Sequence, residues 1–115
     1  MGAEVGEIKI VTAIIASGQP TSSGVYLGGF RKFVLGIPVL TSAAVSFLGA
    51  GTGGSFWLFR NSAAAQYSAA TPGGTGGQWL GDESLSFLAG FHGEVRISAN
   101  ANQAGARDFI WHVKG

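Results

Sequence analysis

The sequence predicts an all-β fold, an antiparallel β-sandwich of jelly-roll type with about eight strands and little or no helix. Three observations predict it. Clusters of glycine and serine cut the 115 residues into short pieces. Those pieces are rich in Ile, Val, Thr and aromatic residues, which suit a pleated, half-buried surface. Turn signals separate them at a spacing of roughly 8–12 residues, the mark of a sandwich or barrel. With 46% hydrophobic residues the chain is too apolar for disorder to be the default, and its length fits one domain. Residues 7–115 are read as that domain. Residues 1–6, which include Gly2, Glu4 and Gly6, are read as an arm that stays mobile until it docks.

The elements follow in order. Residues 7–15, rich in Ile, Val and Thr, form the first strand, and residues 17–24, with Gly18, Pro20 and Gly24, a long polar turn. Strands over 25–27 and 31–37 come next, parted by Gly28 and Gly29. Residues 44–48 alternate small or polar with apolar, and a glycine run leads from them into a strand over 55–60. Residues 61–70 fit either a short helix, started by Asn61 and Ser62 and carried by Ala63, Ala64 and Ala65, or a loop. Further strands are expected over 78–80, 84–88, 94–98 and 107–114.

Period-2 alternation shows which strands have a wet side. Val95 and Ile97 point one way and Glu94, Arg96 and Ser98 the other. Around Val34, in residues 56–59 and around Ile110, both faces are apolar. A two-sheet sandwich buries one face of each sheet, so the second face of those strands needs a loop, the arm or another chain to cover it.

Charge is sparse. A folded monomer of 11.7 kDa exposes on the order of 5,900 Å², so 13 charged side chains stand at roughly one per 450 Å². Between Phe33 and Gly81 the only charged residue is Arg60. A net charge of +1, with no basic run longer than Arg31-Lys32, lacks the footprint that phosphate neutralisation needs, so nucleic acid is not expected as a partner. The absence of cysteine removes disulfides, thiolate metal sites and a cysteine nucleophile. The charge-free stretch 33–59 is broken by Gly36-Ile37-Pro38 and by the glycine run, so no membrane helix is expected. Glu4 and Glu7 stand where a signal peptide carries positive charge.

The chemical motifs are thin. Residues 49–54 match G-x-G-x-x-G, but a strand rather than a helix follows, so they read as a turn. Residues 71–77 are a polar glycine loop without a phosphate-binding lysine. Asp108 and His112 share a strand face about 13 Å apart, beyond hydrogen-bond reach. Asp82 and Glu83 have no further oxygen ligands nearby of the kind a calcium loop provides. No catalytic residue, metal site or cofactor is expected, and the chain reads as non-enzymatic. A small hydrolase, with a histidine brought to Asp108, Asp82 or Glu83 from another strand, ranks last.

Aromatic residues carry more. Each of Trp57, Trp79, Trp111, Tyr26 and Phe30 either packs in the core or presents a flat face to a partner. With Phe59, Arg31 and Arg60 beside them, they have the composition of an interface hot spot. The candidate interface is therefore Tyr26, Phe30, Arg31, Trp57, Phe59, Arg60, Trp79 and Trp111. An alternative is a saccharide-binding jelly roll, with Trp57, Trp79 or Trp111 stacking on sugar rings and Asn100, Asn102 or Gln103 supplying hydrogen bonds.

Ala16-Ser17-Gly18, Ser22-Ser23 and Val25-Tyr26-Leu27-Gly28-Gly29-Phe30 follow a pattern A-S-G, then S-S-x-V-x-L-G-G-[FY]. Val34-Leu35-Gly36-Ile37-Pro38 stands where that pattern has a V-G-I-x-x-P strand, and Thr41-Ser42-Ala43-Ala44-Val45-Ser46-Phe47 continues it. Val95-Arg96-Ile97-Ser98, Gln103 and Ala106-Arg107-Asp108-Phe109 are similar to its closing V-R-I-x-S…Q-x-A-x-R-x-F. In these residues the chain resembles a group of small structural proteins of tailed bacteriophages, encoded among head and virion genes. The middle departs, because an acidic D-G-x-x-[FY]-x-x-L-[FY]-D hairpin is replaced by Gly53-Gly54-Ser55-Phe56-Trp57-Leu58-Phe59-Arg60. The resemblance implies a β-sandwich that decorates or cements a capsid, or serves as a head or tail accessory. Its partner would be the major capsid protein or another virion protein, and its place the virion, assembled in the host cytoplasm. With the sparse charge it also implies a homo-oligomer.

Overall fold

The computed structural model describes residues 6–40, 44–51, 54–60, 68–70, 77–89, 91–99 and 101–115. Strand β1 (Ile8–Ile15) is followed by β2 (Val25–Tyr26), β3 (Lys32–Ile37), β4 (Ala44–Ala50), β5 (Phe56–Leu58), β6 (Ser68–Ala70) and β7 (Gln78–Leu80). A short helix α1 (Asp82–Leu85) continues as a 3-10 turn over Ser86–Leu88, and β8 (Glu94–Ser98) and β9 (Arg107–Lys114) close the chain. Sheet I has the order β1-β9-β3-β7 and sheet II the order β2-β8-β4-β5, with β6 also on β4. All pairings are antiparallel.

Leaving β6 aside, the pairs β1·β9, β2·β8, β3·β7 and β4·β5 join first strand to last, second to seventh, third to sixth and fourth to fifth. This is one long hairpin rolled up on itself, the jelly roll. The glycine run that matched G-x-G-x-x-G lies at the innermost reversal. Gly54 has φ +81° and donates its N–H to Gly51 O at 3.2 Å. It turns β4 back into the antiparallel β5.

The core lies between the sheets, where Trp111, Phe33, Phe47 and Phe109 are fully buried with Ile15, Leu35, Ile37 and Ile97. Trp111 meets Phe33 edge to face at 6.4 Å and Phe47 at 6.3 Å, the offset arrangements that aromatic quadrupoles favour. Ser22 and Ser23 tie the sheets together at one end. Ser22 Oγ accepts the Ile97 N–H of β8 at 2.9 Å, while Ser23 Oγ accepts the Ile14 N–H of β1 at 3.2 Å.

Two expectations are corrected. Residues 84–88, expected as a strand, are helical. Leu85 and Leu88, three apart, both reach the core, which a helical turn satisfies and an alternating strand does not. Asp82 at the first turn accepts the Phe33 N–H at 2.9 Å and so anchors the turn to β3. Residues 68–70, expected as helix or loop, form β6, whose Ser68 and Ala70 lie opposite Ser46 and Ala44. The open edge of β4 has backbone groups to satisfy, and pairing there overrides a weak local preference. The remainder of that segment, 61–67, lies outside the described residues, as do 1–5 of the expected arm and 71–76 of the glycine loop. Gly6 already belongs to the sheet corner, donating to Gly115 O at 3.2 Å.

Candidate functional site

Strand parity divides the candidate interface residues. In β9, Phe109, Trp111 and Val113 point into the sandwich and are buried, which leaves Asp108, Ile110, His112 and Lys114 on the outer face of sheet I. Trp111, expected as an interface residue, is therefore core, with none of its surface exposed. Phe30 is corrected in the same way, lying buried beneath the turn after β2. Phe59 is partly buried, its ring against Phe87 at 5.3 Å and Phe91 at 5.0 Å. It occupies the space a side chain at Gly49 would take. Trp57, Trp79 and Tyr26 are exposed, as are Arg31 and Arg60. They do not form one patch, because Trp79 stands on sheet I, Tyr26 on the outer face of sheet II and Trp57 with Arg60 around the β5 edge.

The register of sheet I defines a larger surface. Ile8, Lys114 and Lys32 lie side by side across β1, β9 and β3, and the next row is Ile10, His112 and Val34. The third row is Thr12, Ile110, Gly36 and Trp79, and the last is Ile14 with Asp108. Ile8 is 71% exposed, Ile10 61% and Trp79 61%. Ile14, Val34 and Ile110 are exposed on the same face. An antiparallel sheet with one solvated side normally turns polar residues outward. Here the outward rows are apolar through the middle, with charge only at the ends.

Gly36 makes the centre of this face. A Cβ there would lie 2.8 Å from Trp79 Cζ3, so its absence lets the indole of β7 lean across β3 and meet His112 on β9 edge to face at 5.2 Å. The result is a shallow relief. One hollow of about 340 Å³ is bounded by Gly36, Pro38, Trp79, Asp108 and Ile110, and another of about 250 Å³ by Ile8, Val34, His112 and the two lysines. Lys32 Nζ is 3.8 Å from Asp82 Oδ2 at that end.

The outer face of sheet II differs. Tyr26 lies opposite Glu94, and the Arg96 guanidinium sits 4.0 Å above the Phe56 ring, a cation–π contact. Tyr26, Phe56, His92 and Glu94 border a groove of about 490 Å³. Of the residues expected for a saccharide site, Trp57, Trp79 and Asn102 are exposed. Trp111 is buried, Gln103 is buried with its side chain held by Ala101 O and the Arg107 Nε–H, and Asn100 lies outside the described residues.

Among the described residues no three His, Asp or Glu side chains gather as metal ligands, and no helix is long and apolar enough to cross a membrane. Sequence reasoning did not count Ile8, Ile10, Ile14 or His112 among the interface residues. The signal was present in β1, where Ile8, Ile10 and Ile14 alternate on one face while Val11, Ala13 and Ile15 fill the other, the same two-sided pattern read at Val34 and Ile110. No family model, curated protein or solved structure matches the chain.

Proposed function

We propose that the protein is a non-enzymatic structural component of a tailed-bacteriophage virion, a jelly-roll subunit that binds the capsid as a decoration, cement or head accessory protein. The observation that carries this reading is the outer face of sheet I, whose apolar rows are exposed on a compact, otherwise well-filled sandwich. The largest contiguous apolar patch on a monomer is about 300–600 Å² and is often functional, and this face, of that order, is the surface of a protein that works by protein–protein contact. The motifs at Ser22-Ser23, Gly28-Gly29-Phe30 and Val95-Arg96-Ile97-Ser98, which resemble those phage proteins, direct it to a virion. The partner is the major capsid protein or another virion protein. Binding to an assembled shell stabilises that shell by mass action.

The test uses particles of the encoding phage assembled without this chain. Added back, the protein should co-sediment with them and raise their thermal disassembly midpoint in a saturable way. Absence of both effects overturns the proposal. A second reading, a saccharide-binding accessory, is favoured by the groove bordered by Tyr26, Phe56, His92 and Glu94, where a sugar ring would stack on the tyrosine and bond the carboxylate. It predicts glycan-array binding that Tyr26→Ala abolishes.

A further inference from the structure

We infer that the outer face of sheet I is a homodimer interface. Two copies pack it face to face about a two-fold axis that lies in the interface plane, perpendicular to the strands, at the level of Trp111. This inference rests on the assembly reading above and names a second copy of the chain as the occupant of the face.

Size permits it. Strands about 4.8 Å apart with about 3.3 Å rise per residue, seven residues long in the facing parts of β1 and β9, six in β3 and three in β7, give a face of about 360 Å² in projection. Two such faces cover about 700 Å² in projection, and side-chain relief, which makes accessible area exceed projected area, brings the buried surface toward the roughly 1,000 Å² of a specific interface. Two sheets stacked about 10 Å apart with strands within about 30° of each other are also how sandwiches pack internally.

Register chooses the partner. Along β9 the outward residues run Lys114, His112, Ile110, Asp108, with Lys32 beside Lys114. One end is basic and the other acidic, and even with Asp82 beside Lys32 the two ends keep opposite sign. The face is thus its own complement when reversed. The proposed rotation sets Lys114 against the partner's Asp108 and His112 against the partner's Ile110. On β1 it sets Ile8 against the partner's Ile14. On β3 it sets Val34 against the partner's Gly36, so that the isopropyl group meets the partner's Trp79 ring, which covers that glycine. The other simple two-fold, parallel to the strands, puts the lysine ends over each other and is opposed by like charge.

Sedimentation equilibrium of the full chain at low salt tests the pairing. The wild type should be a dimer. Ile10→Glu, at a highly exposed position, should raise the dimer dissociation constant more than about 100-fold, by placing a carboxylate from each copy among the apolar side chains of the β1 rows. Asp108→Lys and Lys114→Asp should each raise it about ten-fold, and the double swap should return it to within about three-fold of wild type. Circular dichroism melts of all variants confirm that each folds. A wild type that stays monomeric to millimolar concentration overturns the inference, as does a dimer indifferent to Ile10→Glu or a double swap that fails to recover. A monomer that still stabilises phage particles overturns this pairing while leaving the virion reading intact. A dimer with the expected swap behaviour and no affinity for particles does the reverse.

Discussion

Ser22 and Ser23 are adjacent and serve different sheets, and their burial decides what each is worth. The Ser22 hydroxyl is buried, and it is the acceptor for the Ile97 N–H inside the sandwich. Ser22→Ala leaves that donor unsatisfied, so it should lower unfolding free energy by about 1–3 kcal/mol. Ser23→Ala frees an exposed Ile14 N–H to water and should change stability by less than about 0.5 kcal/mol. Urea denaturation of the two variants measures the difference. At Trp111 the indole fills the core between Phe33 and Phe47, yet its Nε1–H finds no acceptor among the described residues. Trp111→Ala should therefore cost about 3–5 kcal/mol. Trp111→Phe should cost much less, because it removes the orphaned donor along with part of the volume. That Trp111 was core and Trp79 surface could be told only by fixing parity across β9 and β7. Composition assigns both the same role.

At the scale of elements, the strands most legible in the sequence were those with one clean face, such as β8, and those flanked by glycine, such as β3. The turn over 84–88 misled because Ser84, Leu85, Ser86 and Phe87 alternate as a strand would. The burial of both Leu85 and Leu88 and the anchoring of Asp82 to Phe33, a contact between distant residues, select the helical turn. β6 misled in the opposite direction, since Ser68, Ala69 and Ala70 have no strand preference and pair because β4 offers an open edge. The β3–β7 pair carries a prediction of its own. Gly36 weakens β3 and exists to admit the Trp79 ring. Gly36→Ala should keep stability within about 1 kcal/mol of wild type, because an exposed indole can swing aside. It should also abolish the ring-current shift that Trp79 imposes on the His112 protons, seen by proton NMR. A large stability loss instead would mean that Trp79 is a structural cover rather than a movable part of the face.

For the whole molecule, the jelly roll was legible as a class because turn spacing and two-sided strands constrain it. The uncovered face was not, because it depends on register between β1 and β9, whose paired residues lie some hundred positions apart. The accessible surface of 6172 Å² is close to the roughly 5,900 Å² expected for a folded monomer of this mass, so the apolar rows are exposed on a compact molecule. Their solvent cost is relieved only by association, and association couples to folding. Because the chain is its own ligand, free monomer grows only as about the square root of total protein, and the native state gains about 1.2 kcal/mol per chain between the dissociation constant and one hundred times above it. For a chain of this length each kcal/mol is worth about 4 °C. The melting temperature should therefore climb by about 5 °C as protein concentration rises from the dissociation constant to one hundred times above it. Scanning calorimetry across that range measures the climb. The Ile10→Glu variant, which folds the same sandwich and cannot pair, should melt at one temperature throughout, and a wild type that does likewise would show that the face is stable bare.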